Sequence, residues 1–560
     1  MARSLSRSIL LLALGASIAS ATLSGATADS AAPAQDDPHA ACAAPPSYVP
    51  ADLLERAVPL RKGIGNSRLA VTAKSEEAAA YFNQGLNYLE SYVWIEAARS
   101  FHQALRLDPA LAMAHVGLSR VFSGLDNPGA ARRALETAKT LAAGASERER
   151  RIIAIRDAQL AAIDEIENPA KLLAYRKAID DALTADFDIP QLWLLRGNAE
   201  EANATGRGQR GTSGSIAFYE RALSLDPDNA SAHHFLVHSY ETIGRIDQAL
   251  VHGEAYARLS PAIPHAAHMW GHDLRRVGRI DEAIVQFKKA DALERAYYAA
   301  EGIDPSFDWH HGHNLDLLAT CYEHKGQMRL AEETMREATA LAPVDAYRAF
   351  NMRELPAFLI HRARYAEALE AARALTRTAY PQSRTVGQAL AGQALIRLGR
   401  LDEAAAALEA ARRELETVPA ATPGIVPRRS AVEPWVESLR GELLLRTGKG
   451  AEGRTVLKDV QRAFRAIPGP DAWSQGLFRL ESIARSAIEA VDWDLAEYTA
   501  RQMLDHDAAY GGSHYVMAQV LRHKGDPAGA DRELKAARGF WRDADPDLPE
   551  MARTSGSPGR

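Results

Sequence analysis

Cysteine is almost absent: the 560 residues hold two, Cys42 and Cys321. A pair so far apart in so long a chain implies no disulfide framework. Cys42 stands in a loose Ala/Pro-rich stretch and reads poorly as a lipid-attachment residue, while Cys321 falls in a helical pattern and is predicted to be core. Neither sign of charge dominates, with 66 basic against 72 acidic residues and a formal net charge of -6. That balance leaves no electrostatic footprint for nucleic acid and no acidic solvating tail. No apolar run reaches the roughly 20 residues that a membrane-spanning helix needs. Alternating Val/Ile/Thr runs are few, and Asn-Gly and Asp-Gly hairpin turns are missing, which excludes a β-rich fold. Catalytic signatures are missing too: there is no HExxH, no Gly-x-Ser-x-Gly elbow, and no cysteine paired with a histidine. No residue is assigned as catalytic or as holding an organic cofactor.

What is present begins with Arg3 and Arg7 before the apolar run "SILLLALGASIASA", followed by small residues up to Ala26-Thr27-Ala28. This pattern predicts a secretory signal peptide over residues 1–28, cleaved after Ala28, and therefore export to a bacterial periplasm or the cell exterior. Residues 29–75, rich in Ala, Pro and Asp, are predicted to be a flexible linker.

From Glu76 onward the sequence repeats. In "AAAYFNQGLNYLESYVWIEAARSFHQALRLDPA", Gly85, Ala97, Phe101, Ala104 and Pro109 have the spacing of the tetratricopeptide repeat (TPR), a 34-residue pair of antiparallel helices. Gly85 and Ala97 allow the two helices to approach closely, Phe101 fills the space between neighbouring hairpins, and Pro109 ends the second helix. Ala131 and Ala138 repeat Ala97 and Ala104 one period later, and Pro227 and Pro261 close successive units. Gly244/Ala249, Gly278/Ala283, Gly326/Ala331, Gly399/Ala404 and Gly525/Ala530 mark the turn and crossing of others, as do Trp493 and Ala496 near the C-terminus. The expected fold is an all-α solenoid of antiparallel helix pairs; the TPR resemblance implies a right-handed superhelix. Its divisions are an N-terminal TPR and irregular helical region (76–205), a His-rich TPR region (206–345), a C-terminal TPR region (346–541) and a disordered tail (542–560). Ser146 with Glu149 predicts a capping box at the start of the irregular part. "TGRGQRGTSGS" (205–215) lacks the Lys-Ser/Thr ending of a phosphate-binding loop and any preceding strand, so it reads as a solvated loop at a hinge. "VPAATPGIVPRR" (418–429) reads as a longer inter-helix loop.

Ten of the 18 histidines fall between His233 and His313. His234 and His238 hold the same repeat positions as His268 and His272, and His265 shares a position with His313. His234, His238 and Glu241 lie at i, i+4 and i+7, and His265, His268 and His272 at i, i+3 and i+7, so each set shares one helix face. The TPR resemblance implies that these first-helix positions line the concave wall, with six imidazoles facing one groove. Convergent imidazoles suit Zn²⁺ or Cu²⁺ rather than Mg²⁺ or Ca²⁺, which prefer oxygen. The candidate ligands are His234, His238, His265, His268, His272 and His313; Glu241, Asn314 and Asp316 complete the groove. Glu241 or Asp316 would serve as a further ligand, an orienting group or a general base. His233 and His310 are read as facing away. His102, His115, His252, His324, His361, His506, His514 and His523 are read as surface or core-edge residues.

From about Tyr81 to Ala342 the chain also resembles a family of uncharacterised exported bacterial TPR proteins. The likeness rests on "FNQGL", "SERER", "AHHFLVHSYE", "PHAAHMWGH" and "HGHNLDLL". Its ordered HxxxH-then-Glu, HxxHMxxH and His-Asn motifs fall on His234, His238 and Glu241, on His265, His268 and His272, and on His313 and Asn314. Trp270-Gly271 replaces the family's usual Pro-Ser, and Leu315–Leu318 is less aromatic than usual. No reaction follows from the resemblance. Three readings remain: a transition-metal centre in the groove, with an undefined enzymatic role left open, a metal-free groove binding a protein or peptide ligand, and a regulatory groove that responds to acid. The last opens when its imidazoles are protonated near their ordinary pKa of about 6.5.

Overall fold

The computed structural model describes residues 49–209, 211–343, 346–420, 427–466 and 472–552. The predicted signal peptide with its cleavage site, Cys42, residues 421–426 of the 418–429 loop and residues 553–560 lie outside the described residues. Among the described residues all regular structure is helical, without a strand, and no helix is long and apolar enough to cross a membrane.

Helix pairs succeed one another as the repeat predicts. The first is Glu76–Glu90 with Trp94–Leu107; the histidine-bearing helices Ala230–Thr242, Pro264–Arg276 and Trp309–His324 are each followed by a partner, Ile246–Leu259, Ile280–Glu301 and Met328–Ala340. Phe101 shows why small residues recur. A Cβ on Gly85 would lie 2.7 Å from the Phe101 ring, and one on Gly117 of the next hairpin 2.4 Å from it. The ring is fully buried between two helices that only glycine lets come so close. The first two histidine-bearing hairpins turn through left-handed glycines, Gly244 at φ 78° and Gly278 at φ 79°. There the chain bonds back five residues, Arg245 N to Tyr240 O and Arg279 N to Leu274 O, both 2.8 Å. The capping box forms, with the Ser146 hydroxyl accepting from Glu149 N and the Glu149 carboxylate from Ser146 N. Cys321 is buried in the core, as predicted, and burial pushes its thiol up to about 11.

Three segments depart from expectation. Residues 49–75 do not form a tether. Leu53, Leu54, Val58, Ile64 and Leu69 are buried, and a short helix covers Ala51–Leu54. The polar face of the first helix supplies the partners that a lone strand lacks. Asn83 Oδ1 accepts from Leu69 N (2.8 Å), Gln84 Oε1 from Arg61 N (2.7 Å), and Asn87 pairs with both N and O of Ser67 at 2.9 Å. Composition masked this because scattered aliphatics among Ala and Pro carry no period. The strap also reaches later repeats, through Ser67 Oγ to Ser231 Oγ (2.8 Å) and Ala262 N to Gly63 O (2.8 Å).

The 205–215 segment is packed rather than solvated, with Gly206, Gly208 and Gly211 buried. Arg207 O accepts from the Tyr92 hydroxyl (2.7 Å), and Gly208 N donates to Glu201 (2.6 Å).

The tail is ordered as far as residue 552. Trp541 Nε1 donates to His324 O (3.2 Å), Asp545 N to Gly326 O (3.1 Å), and Leu548 is buried. Glu550 pairs with Arg362 (2.9 Å) and Arg485 (3.0 Å). Burial alone would raise the Glu550 carboxyl, but Arg485 and Arg362 override it and hold it down at about 2, below its ordinary 4.5.

A carboxyl held low stabilises the fold above its unfolded pKa and loses that contribution as pH falls through the folded one. Glu550→Gln should therefore lower stability by about 3 kcal/mol at pH 7, measured by urea unfolding. The gap between variant and parent should close as pH falls from 4.5 towards 2.

Candidate metal centre

The first helices of three consecutive pairs pack side by side, so residues one period apart come together. His234 Nε2 lies 3.1 Å from His238 Nε2 and 3.0 Å from His265 Nε2. His268 Nε2 lies 3.0 Å from His272 Nε2. The ring of His313 is 4.9 Å from that of His268 and 6.0 Å from that of His272. Three groups of nitrogens thus lie within 4.8 Å of one another: His234/His238/His265, His265/His268/His310 and His268/His272/His313. A tetrahedral ion with Zn–N bonds of 2.0–2.1 Å separates its ligand nitrogens by about 3.3 Å. The three spacings of 3.0–3.1 Å need only a few tenths of an ångström of opening.

All six predicted histidines join this cluster, and so does His310, which the sequence reading turned away. His310 heads a helix one turn longer than its predecessors, so counting back from the hairpin turn misses it. His233 does point elsewhere, with Nδ1 2.8 Å from that of His252. Asp316 is also outside the cluster, since Arg348 holds it at 2.7 Å. Two histidines read as surface or core-edge are buried in carboxylate pairs well away from the site: His324 with Asp507 (2.9 Å) and His361 with Glu323 (3.3 Å).

The other nitrogen of several rings is anchored. His234 Nδ1 donates to Glu90 O (2.8 Å) and His268 Nδ1 to Asn314 Oδ1 (2.9 Å), while Asn314 Nδ2 donates to Phe287 O (3.0 Å), which fixes the amide. His310 Nδ1 binds Glu294, which also takes His311 Nδ1 at 2.9 Å. Neutral imidazole donates from one nitrogen only, so Nε2 of His234 and of His268 is a lone pair facing inward. Fixing the tautomer through the outer nitrogen is how proteins orient metal-binding histidines. His310 Nε2 is buried and has no hydrogen-bond partner among the described residues.

The cluster is not an open groove. His234 and His268 are fully buried, and no ring of the seven exceeds 7% exposure. The first hairpin covers it. Tyr92 lies 4.7 Å from the ring of His234 and 5.3 Å from that of His265, and Trp309 stacks on His313 at 5.9 Å. Tyr92 occupies the turn position held by Gly244 and Gly278, at φ 60°. A left-handed tyrosine costs about 1–3 kcal/mol, offset here by its contacts with the cluster. A tyrosine where the repeat wants glycine was the available sequence signal for this missed residue.

Burial decides the charge state. It pushes His234 down to about 3 and, with their neighbours' charge, His238, His265 and His268 well below 6.5. Carboxylic acids surround the imidazoles. Glu241 lies 3.6 Å from His272 Nδ1, and beside it Asp273 is pushed well up, by burial and then by the Glu241 charge. Burial also raises Glu90 and Asp308. Burial alone would raise Glu294 as well, but His310 and His311 hold it low.

Residues 313–345 match the tetratricopeptide repeat family. The chain is similar to solved TPR structures. One is a tetratricopeptide repeat protein from Parabacteroides merdae ATCC 43184, at 13% identity over 47% of this chain and 92% of that one, with a TM-score of 0.34. Another is YrrB, described as a TPR protein with an unusual peptide-binding site, at 18% identity over 35% and 91%, with a TM-score of 0.25. A third is human IFIT1, solved as a dimer with PPP-AAAA, at 12% identity over 87% and 100%, with a TM-score of 0.35. The chain has no significant match among curated proteins. The fold is an all-α TPR solenoid, a scaffold whose stacked helix pairs suit protein and peptide binding.

Imidazoles held neutral in the fold but free to protonate when unfolded stabilise it fully above about pH 6.5 and progressively less below. Metal-stripped protein should lose about 1.4 kcal/mol per pH unit for each such ring as pH falls from 6.5. In ¹⁵N NMR, His234 should remain the neutral Nδ1–H tautomer at pH 5, since its titration lies near 3.

Proposed function

We propose that this chain is an exported TPR protein whose buried histidine cluster holds Zn²⁺ or Cu²⁺. The observation that carries the reading is the inward convergence of Nε2 atoms whose outer nitrogens are anchored, as at His234 and His268. Seven histidines without a thiolate suit these two ions, and neutrality at physiological pH is the state in which imidazole binds a metal. His265 and His268 each belong to two of the three groups, and one nitrogen serves one ion. The groups that share no residue are His234/His238/His265 and His268/His272/His313, so the cluster has room for two ions. His310 stands between them as a spare ligand. Glu90, Asp273 and Asp308, whose carboxyls burial raises, would supply negative charge to balance the cations. Export, read from the N-terminal segment, would put the protein where either ion is met.

The alternative is a metal-free TPR scaffold for a protein or peptide ligand. Its support is that the same imidazoles satisfy one another at 3.0–3.1 Å.

Metal analysis of protein purified without an affinity tag decides between the two readings. The expected result is two zinc or copper ions per chain. His234→Ala with His238→Ala should lower this to one, and His268→Ala with His272→Ala should do the same independently. Metal at trace level in the parent, or content unchanged by both pairs of substitutions, leaves the scaffold reading.

A further inference from the structure

Across the Tyr92–Trp309 wall from the histidines lies a cavity of about 460 Å³. Its size is that of a small-molecule site. Four arginines line it, Arg120, Arg132, Arg156 and Arg207, against two carboxylic acids, Glu90 and Asp126. Glu90 accepts from the Ser231 hydroxyl (2.5 Å), and neither acid forms an ion pair with these arginines among the described residues. Arg132 is spoken for at the rim by Asp164.

Arg156 is 4% exposed and forms no ion pair with a carboxylate among the described residues. Its donors go to neutral oxygens: Ser119 Oγ (3.0 Å) and O (2.8 Å), Ser123 Oγ (2.6 Å) and Gln159 Oε1 (2.6 Å). Burial, followed by the like charge of Arg120, pushes this guanidinium down to about 9. It is still a cation at neutral pH, held in place by dipoles alone, and a buried charge without a counter-ion is costly. Arg120, half-buried beside it, forms no ion pair among the described residues. The remaining walls are largely aromatic, with Trp94, Phe235, Trp309 and Tyr347 among them. Arg207 already lies over the Trp94 ring at 5.5 Å.

We infer that this cavity binds a small organic anion, its carboxylate or phosphate seated on Arg120 in the field of Arg156 and its aromatic or apolar body among Trp94, Phe235 and Trp309. A planar acid group matches the two-pronged guanidinium, and flat rings offer the remainder of the ligand faces on which to stack. The anion supplies the negative charge that the protein itself withholds. None of the proposed metal ligands lines the cavity, although Glu90, Tyr92 and Trp309 stand against both sites.

The test uses full-length protein stripped of metal, titrated with phenylacetate, phenyl phosphate and the neutral phenylacetamide. Calorimetry and the fluorescence of Trp94 and Trp309 report binding. One of the two anions should bind saturably at one per chain, and phenylacetamide at least tenfold more weakly; whichever anion binds tighter identifies the acid group. Arg120→Gln should weaken the anion at least tenfold with unfolding unchanged, whereas Arg132→Gln at the rim should leave binding as it was. Equal binding of acid and amide, no saturable binding of either anion, or an unchanged affinity in Arg120→Gln overturns the assignment. Repeating the titration with the His268→Ala, His272→Ala protein keeps the two sites apart: this binding should persist there whatever the metal content does.

Discussion

Helices in this chain pass one another at the distance that a glycine and a phenylalanine permit, and every later feature depends on that distance. Where Gly85 and Gly117 receive the Phe101 ring, neighbouring hairpins stack in fixed phase. Fixed phase makes residues one period apart into neighbours in space. His234 and His238 therefore meet His265, and His268 and His272 meet His313, although no local interaction brings them together. A looser packing would keep the same helices and lose the convergence.

That phase was legible in the sequence, because the small residues, the turn glycines and the histidines share one register. The six predicted imidazoles are together for that reason. What was illegible has physical causes. Residues 49–75 are bound by Asn83, Gln84 and Asn87, and such side-chain-to-backbone pairing has no period to detect. His310 belongs to the cluster because its helix gained a turn at its N-terminus. Burial was missed altogether: a repeat pattern tells which residues face inward, but not that the first hairpin will return to cover them. Tyr92 and Trp309, which do the covering, lie 217 residues apart and are joined by Trp309 Nε1 to Tyr92 O.

The interior is unusual in its polarity rather than its size. Two apolar cores fill the solenoid, one running from Leu53 to Ile303 and the other from Leu274 to Leu548, and they overlap where the histidine helices lie. Between them the fold buries imidazoles side by side with carboxyls, all out of water. Across the Tyr92–Trp309 wall it keeps guanidiniums, which are cations at neutral pH. One side of that wall is therefore rich in lone pairs and the other in positive charge. The two sides are suited to ligands of opposite sign.

The strap formed by residues 49–75 has a consequence for how the molecule comes into being. In a simple solenoid each unit leans only on the next, and structure can accrue as the chain leaves the ribosome. Here Ser67 waits for Ser231 and Gly63 for Ala262, and Tyr92 waits for Trp309. The earliest part of the chain stays incomplete until more than half has been made. The chamber around the histidines cannot be walled before Trp309 has been made and reaches Tyr92.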